Sequence, residues 1–178
     1  GGPVRVGGAH GWPGSGIGKG VGPVTPGLSG LTLDDVSAER QPDGSLNLAL
    51  SLNNTRAGHK VPTGDPERFV QLSAWLMSEE GHVMDEKVWR MGQTWTWSPV
   101  AKKLSDNRLE VGERRALTWR STAAGTAVVL KLRHVRLSEE NSRYHIERAA
   151  QGHAGPSEAA LRAYPKGRLL LEQRVLIR

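Results

Sequence analysis

The sequence predicts an all-β protein: an antiparallel β-sandwich that follows an extended, glycine- and proline-rich N-terminal arm and contains one short helix near the C-terminus. Two observations support this fold class. Short runs of alternating apolar and other residues recur along the chain, and a period of two is typical of half-buried strands. Turn-forming residues separate these runs, as they do between the strands of a sandwich. The length of 178 residues suits one such domain.

The predicted arm covers residues 1–30, and the β-sandwich domain covers residues 31–178. Glycine and proline dominate the arm, which has almost no periodic apolar pattern. Such a composition cannot bury enough apolar surface to offset the backbone entropy that is lost on ordering. Two alternatives follow. The arm is either a disordered linker or a segment that wraps a neighbouring subunit and is ordered by it.

The clearest strand follows the turn at residues 42–44, because leucine alternates with other residues at positions 46, 48, 50 and 52. A second run with the same period, residues 70–76, ends before Gly81. Further strands are predicted at residues 83–90, 115–120, 127–137 and 168–177. The helix is predicted at residues 157–164, since Ser157 can cap its start and Pro165 with Gly167 can end it.

Composition excludes several kinds of protein. The longest apolar runs fall well short of the roughly 20 residues that a membrane-spanning helix needs, and the mean hydropathy is -0.45. The net charge of +6 favours acidic partners. Basic residues are nevertheless spread over both faces of the predicted strands, which argues against a nucleic-acid interface. The chain has no cysteine, so disulfides and thiolate metal sites are excluded.

Residues 54–69 combine an ionisable ring with turn-forming residues. His59 lies between Gly58 and the Pro-Thr-Gly sequence at positions 62–64. Glycine has no Cβ and proline fixes φ, so the backbone here can approach a partner closely and the ring can donate, accept or bind a metal. Just beyond, the Asp65–Arg68 segment is expected to stabilise the loop through an ion pair or turn hydrogen bonds. It has too few carboxylates for a calcium site.

Three motifs resemble those of one protein family. Gly58-His59-Lys60-Val61-Pro62-Thr63-Gly64, followed by Arg68, resembles the GHxxPTG…R signature of the β-sandwich segment that follows the haem-binding part of many multihaem c-type cytochromes. Upstream, His10-Gly11-Trp12-Pro13-Gly14 is similar to an H-x-aromatic-x-G element of those proteins. Downstream, residues 106–113 are similar to their D-x-R-L-x-P-G-E turn, with Val111 where proline is usual. The resemblance spans residues 9–137.

This resemblance implies an accessory, non-catalytic module of a multihaem c-type cytochrome electron-transfer assembly, exported to the periplasm or the cell exterior. Because the chain has no C-x-x-C-H motif, haem c would be carried by a partner chain or an upstream segment, and this chain would be part of a hetero-oligomer. The implied haem-binding residues are His10, Trp12 and His59, with His10 and His59 as axial ligands of haem iron. For His59 the alternative is a ring that only stabilises its own turn.

The other histidines have weaker claims to a function. His82 is expected to be solvated in a hairpin turn, and His134 is expected at the surface or edge of its strand. His145 and His153 are expected to be exposed in an irregular stretch. None of the histidines forms an H-E-x-x-H or H-x-H pair, so a zinc or iron enzyme site is not predicted.

Trp89, Trp95 and Trp97 are close in the sequence, and two tryptophans two residues apart on a strand point to the same face. That face is either core or an exposed stacking surface for a sugar ring, a nucleobase or a porphyrin edge. A second functional hypothesis is therefore a carbohydrate-binding or adhesion β-sandwich that uses this tryptophan-rich face. No catalytic residues are predicted, because the chain has no G-x-S-x-G elbow and its glycine-rich residues 14–20 neither follow a strand nor open a helix.

Overall fold

The computed structural model describes residues 30–178, which form two antiparallel sheets and two short α-helices. The strands are β1 (Thr32–Arg40), β2 (Leu46–Asn53), β3 (Phe69–Met77), β4 (Val83–Thr96), β5 (Lys102–Asp106), β6 (Arg114–Ser121), β7 (Ala127–Val135) and β8 (Arg168–Leu176). The helices are α1 (Glu139–Ala150) and α2 (Glu158–Ala163), and a 3-10 turn, Tyr164–Lys166, follows α2. The all-β fold class is confirmed. The arm positions His10 and Trp12 lie outside the described residues.

The smaller sheet has the order β1-β2-β6, and the larger one has the order β5-β4-β3-β7-β8. Backbone hydrogen bonds join the two sheets where β1 meets the C-terminal end of the chain. The amide of Arg40 donates to the carbonyl of Arg178 at 2.7 Å, and the amide of Arg178 donates to the carbonyl of Ala38 at 3.0 Å. These bonds close the sandwich along one side.

The core lies between the sheets and follows directly from the period of two. The leucines of β2 are at most 3% exposed. Opposite them, the inward-facing side chains of β3 and β7 are fully buried, and the register places Leu72 of β3 beside Leu132 of β7. Alternate residues of a strand share one face, so this register puts both leucines in the same apolar layer.

Two strands were not predicted individually, for different physical reasons. The pairing of β1 with β2 is irregular between Asp34 and Ser37, and Asp35 has a φ of 52°. A β-bulge of this kind interrupts the apolar alternation. Every residue of β5 is exposed, so this strand has no buried face to leave a pattern. The predicted strand at residues 83–90 also runs further, to Thr96.

The expectation of a single short helix is corrected by the structure. The predicted helix is present as α2, but α1 also forms, over residues that include His145 and that were expected to be irregular. Its start is capped by Ser138, whose side chain accepts a hydrogen bond from the amide of Asn141. Of its residues only Ser142 is buried, so α1 shows no apolar stripe that could have predicted it.

Candidate functional site

The loop that contains His59 is fixed to the turn that precedes β6. Val61 and Leu109 form an antiparallel bridge, with the amide of each donating to the carbonyl of the other at 2.9 and 3.0 Å. Both side chains are fully buried. Two segments far apart in the sequence, residues 54–64 and residues 106–113, therefore form one structural unit at the end of the sandwich.

Asn54 connects the parts of this unit. Its side chain is fully buried. The side-chain nitrogen donates to the carbonyl oxygens of His59 at 2.9 Å, Glu110 at 2.9 Å and Leu109 at 3.3 Å. The backbone amide of Asn54 donates to the backbone carbonyl of Glu113 at 2.9 Å. No role was predicted for Asn54, because a polar residue at the end of a strand carries no periodic signal. Its position at the start of the loop motif was the available clue.

His59 is exposed, and its Nδ1 atom lies 3.0 Å from the backbone oxygen of Lys60. A carbonyl oxygen can only accept a hydrogen bond, so Nδ1 carries the proton and donates. In the neutral ring, this tautomer leaves the lone pair of Nε2 available for a metal or a hydrogen-bond donor. The two alternatives for His59, turn stabilisation and ligation, use different ring nitrogens and are compatible.

Residues 65–68 form a hydrogen-bonded turn, as expected from their sequence. A side-chain oxygen of Asp65 accepts from the amide of Glu67 at 2.9 Å, and the carbonyl of Asp65 accepts from the amide of Arg68 at 3.0 Å. Burial, with a smaller contribution from the charge of Asp65, raises the pKa of Glu67. Weaker opposing effects come from His145 and from a hydrogen bond with Asn141, so Glu67 faces α1.

A groove of about 590 Å³ lies between the Trp95–Trp97 region and the N-terminal end of α1. The rings of Trp95 and Trp97 are stacked, with centroids 5.5 Å apart and planes at 12°. The indole nitrogen of Trp95 donates to the side-chain oxygen of Gln93 at 2.6 Å. Trp97 is 52% exposed. Glu67 and Asn141 belong to the opposite wall.

The predicted face of three tryptophans is divided in the structure. Trp95 and Trp97 share a face, as expected from their spacing. Trp89 is instead partly buried against the hydrophobic core, where the register of β3 and β4 places it opposite Leu72. Trp95 is also half-buried, so the exposed indole of the three is that of Trp97, which stacks on Trp95.

His134 was expected at the surface, and the structure places it inside, with 4% exposure. It lies on β7 between Val70 of β3 and Arg168 of β8. Its Nε2 atom has no hydrogen-bond partner among residues 30–178. Burial, reinforced by the positive charges of Arg68, Arg136 and Arg168, lowers the pKa of His134 to about 4. The ring is therefore neutral at physiological pH.

The remaining histidines of the described chain are exposed, as expected: His82 at a turn, His145 on α1 and His153 after it. Over residues 30–178, no group of three or more histidine, cysteine, aspartate and glutamate side chains is arranged to hold a metal ion. Among the same residues, no helix is both long enough and apolar enough to cross a membrane.

Comparisons with known proteins identify a shared fold. No protein-family model and no curated protein matches the chain. Among solved structures, the chain is similar to a penta-heme cytochrome c552 from Thermochromatium tepidum, with a TM-score of 0.63 and 18% sequence identity. The likeness covers 83% of this chain and 40% of that chain, so this chain spans less than half of the cytochrome it matches. At this identity the likeness is one of fold.

Proposed function

We propose that this chain is an accessory, non-catalytic module of a multihaem c-type cytochrome electron-transfer assembly, in which it packs on haems and supplies His59 as a distal axial ligand. The haem c groups would be attached to a partner chain or an upstream segment, because this chain has no cysteine for thioether bonds. The module would be exported, to the periplasm or the cell exterior, together with that partner.

The geometry of His59 carries this proposal. The ring is exposed, its Nδ1 proton is bonded to the carbonyl of Lys60 at 3.0 Å, and Nε2 is left with its lone pair. That hydrogen bond also orients the ring and increases the basicity of the opposite nitrogen, as in many metal-binding histidines. His59 is therefore suited to act as an axial ligand of haem iron.

The rigidity of the loop supports the same function. Asn54 and the bridge between Val61 and Leu109 hold the backbone around His59 against a second loop. A ligand on a fixed loop loses little conformational freedom when it binds, so more of the binding free energy is retained. The fold shared with a penta-heme cytochrome, and the three motifs around His10, His59 and residues 106–113, give independent support.

Haem c would supply reversible one-electron chemistry, and this chain would control its surroundings. Packing on a haem edge excludes water and lowers the local dielectric, which tunes the reduction potential together with the choice of axial ligand. The net charge of +6 favours contact with acidic protein surfaces and haem propionates. His10 and Trp12 of the arm remain predicted haem contacts.

The assembly is tested first on the natively purified particle that contains this chain. We expect its visible absorption spectrum, oxidised and then reduced with dithionite, to show a sharp c-type haem α band that coelutes with the chain in gel filtration. A colourless particle, or one from which the haem protein separates, would contradict the proposal.

The role of His59 is tested by titrating the whole chain with a ferric c-type haem octapeptide that keeps its own proximal histidine and one open axial position. We expect a shift of the Soret band to the low-spin, bis-histidine form, and a loss of about tenfold or more in apparent affinity for His59→Ala. His82→Ala is the control, since His82 is also exposed but lies in an unrelated turn. Equal shifts for His59→Ala and the unmodified chain would remove His59 as the ligand.

A further inference from the structure

We propose that the groove between Trp97 and α1 binds a neutral carbohydrate, with one sugar ring stacked on the exposed face of Trp97. This groove is defined by Arg90, Gln93, Trp95 and Trp97 on one side and by Glu67 and Asn141 on the other. Since it does not include His59, this inference does not depend on the proposed function.

The aromatic wall is preorganised. Gln93 accepts a hydrogen bond from the indole nitrogen of Trp95 at 2.6 Å, and Trp97 stacks on Trp95 with a centroid separation of 5.5 Å. One face of Trp97 is thus held by another ring, while the side chain remains 52% exposed. A fixed, exposed indole face offers a large apolar surface to the C–H face of a pyranose, at a low cost in side-chain entropy.

The opposite wall supplies hydrogen-bonding groups. Glu67 provides carboxylate acceptors, and Asn141 provides both a donor and an acceptor. Ser138 and Glu140, at the start of α1, add a hydroxyl and a second carboxylate. Burial raises the pKa of Glu67, which indicates that this carboxylate is already partly withdrawn from water. Sugar hydroxyls both donate and accept, so they match a wall of mixed polar groups.

The charges in the groove favour a neutral ligand over an anionic one. Glu67 and Glu140 would repel a propionate or a phosphate. The cation of the groove, Arg90, already donates to the carbonyl of Gln93 at 3.0 Å and lies 4.4 Å from the centre of the Phe69 ring. The N-terminal end of α1 would attract an anion, but Glu139 and Glu140 occupy its first turn. An anionic porphyrin or nucleotide is therefore the poorer fit.

The dimensions of the groove agree with this class of ligand. Its volume of about 590 Å³ lies within the range of roughly 300–1,000 Å³ that is typical of small-molecule sites. Aromatic side chains with a few convergent polar groups are also the usual lining of such sites. The groove therefore has the size, the apolar platform and the hydrogen-bonding groups for one or two sugar rings.

The test is a titration of the whole chain with cellotetraose, chitotetraose and maltotetraose. Binding is measured by tryptophan fluorescence and by isothermal titration calorimetry. We expect saturable binding of at least one of them. Trp97→Ala should weaken that binding by about tenfold or more, and Glu67→Gln should weaken it by a smaller factor. Trp75→Ala is the matched control, because Trp75 is also partly exposed but is bonded through its indole nitrogen to Glu86 at 3.1 Å, outside the groove.

Several outcomes would overturn this inference. One is the absence of saturable binding of all three oligosaccharides at millimolar concentration. Another is an equal loss of affinity for Trp97→Ala and Trp75→Ala, with circular dichroism showing that both variants are folded. A third is tighter, Trp97-dependent binding of an anionic iron porphyrin. His59→Ala should leave oligosaccharide binding unchanged, so failure here and failure of the haem proposal are separate results.

Discussion

At the scale of single residues, His59 and His134 are the same side chain in opposite surroundings. His59 is exposed and has its Nδ1 atom bonded to the carbonyl of Lys60. His134 is 4% exposed, and positive charges surround it. Of these two histidines, only His59 can present a ring nitrogen to a partner. The burial of His134, together with the nearby positive charges, instead makes the stability of this protein sensitive to pH.

For His134, we predict a loss of stability as the pH falls from about 6.5 to about 4. The pKa of His134 is about 4 in the folded protein and ordinarily near 6.5, so the unfolded state binds more protons between these values. Protonation of this histidine in the unfolded chain should lower the free energy of unfolding by on the order of 3 kcal/mol over this pH range. Urea unfolding at several pH values measures the effect. His134→Leu should be less sensitive to pH than the unmodified chain.

The control for this experiment is His82→Ala, since His82 is an exposed histidine. Carboxylates also titrate below pH 5, so the comparison rests on the difference between each variant and the unmodified chain. An identical pH dependence for His134→Leu and the unmodified chain would show that burial of His134 does not govern acid stability.

At the scale of elements, the packing of a segment matters more than its local sequence pattern. The loop with His59 is ordered by its bridge to Leu109 and by Asn54, and α1 forms with almost no buried side chain of its own. A buried contact of α1 is the hydroxyl of Ser142, which donates to the carbonyl of Leu161 in α2 at 2.6 Å. A segment without a periodic sequence pattern can therefore be ordered by hydrogen bonds to distant parts of the chain.

For the loop, we predict that Asn54→Ala lowers the free energy of unfolding by about 1–3 kcal/mol, because three backbone carbonyls lose the hydrogen bond from its side chain, while those of Leu109 and Glu110 keep backbone donors. Urea denaturation measures this change. Asn47→Ala, at an exposed position of β2, is the control. It should change the free energy of unfolding by no more than about 0.5 kcal/mol. A comparably small effect for Asn54→Ala would mean that the backbone hydrogen bonds between the two segments hold the loop without the Asn54 side chain.

At the scale of the whole described domain, stability comes from the apolar layer between the two sheets. Both sheets contribute fully buried leucines, such as Leu48 from the smaller sheet and Leu72 from the larger one. The larger sheet has five strands to the three of the smaller one, and its β4 strand carries Trp95 near its end. The same framework thus provides the core and positions the groove.

We predict that Leu72→Ala lowers the free energy of unfolding by about 2–5 kcal/mol, since it removes apolar contacts and leaves a cavity at the centre of the larger sheet. Leu104→Ala is the matched control. Leu104 is 60% exposed on the edge strand β5, so Leu104→Ala should change the free energy of unfolding by no more than about 0.5 kcal/mol. Thermal and urea unfolding of both variants measure the difference. Similar effects for the two would contradict the assignment of the core.

The sequence by itself determined six of the eight strands, β2, β3, β4, β6, β7 and β8, together with their turns, the helix α2 and the loop that presents His59. Those features depend on residues a few positions apart, because side-chain periods, turn residues and helix caps act locally. The tertiary structure decided the burial of His134, the separation of Trp89 from Trp95, and the pairing of Val61 with Leu109. These depend on which distant strands become neighbours and in which register, and that choice is made by packing across the whole domain, which no local pattern encodes.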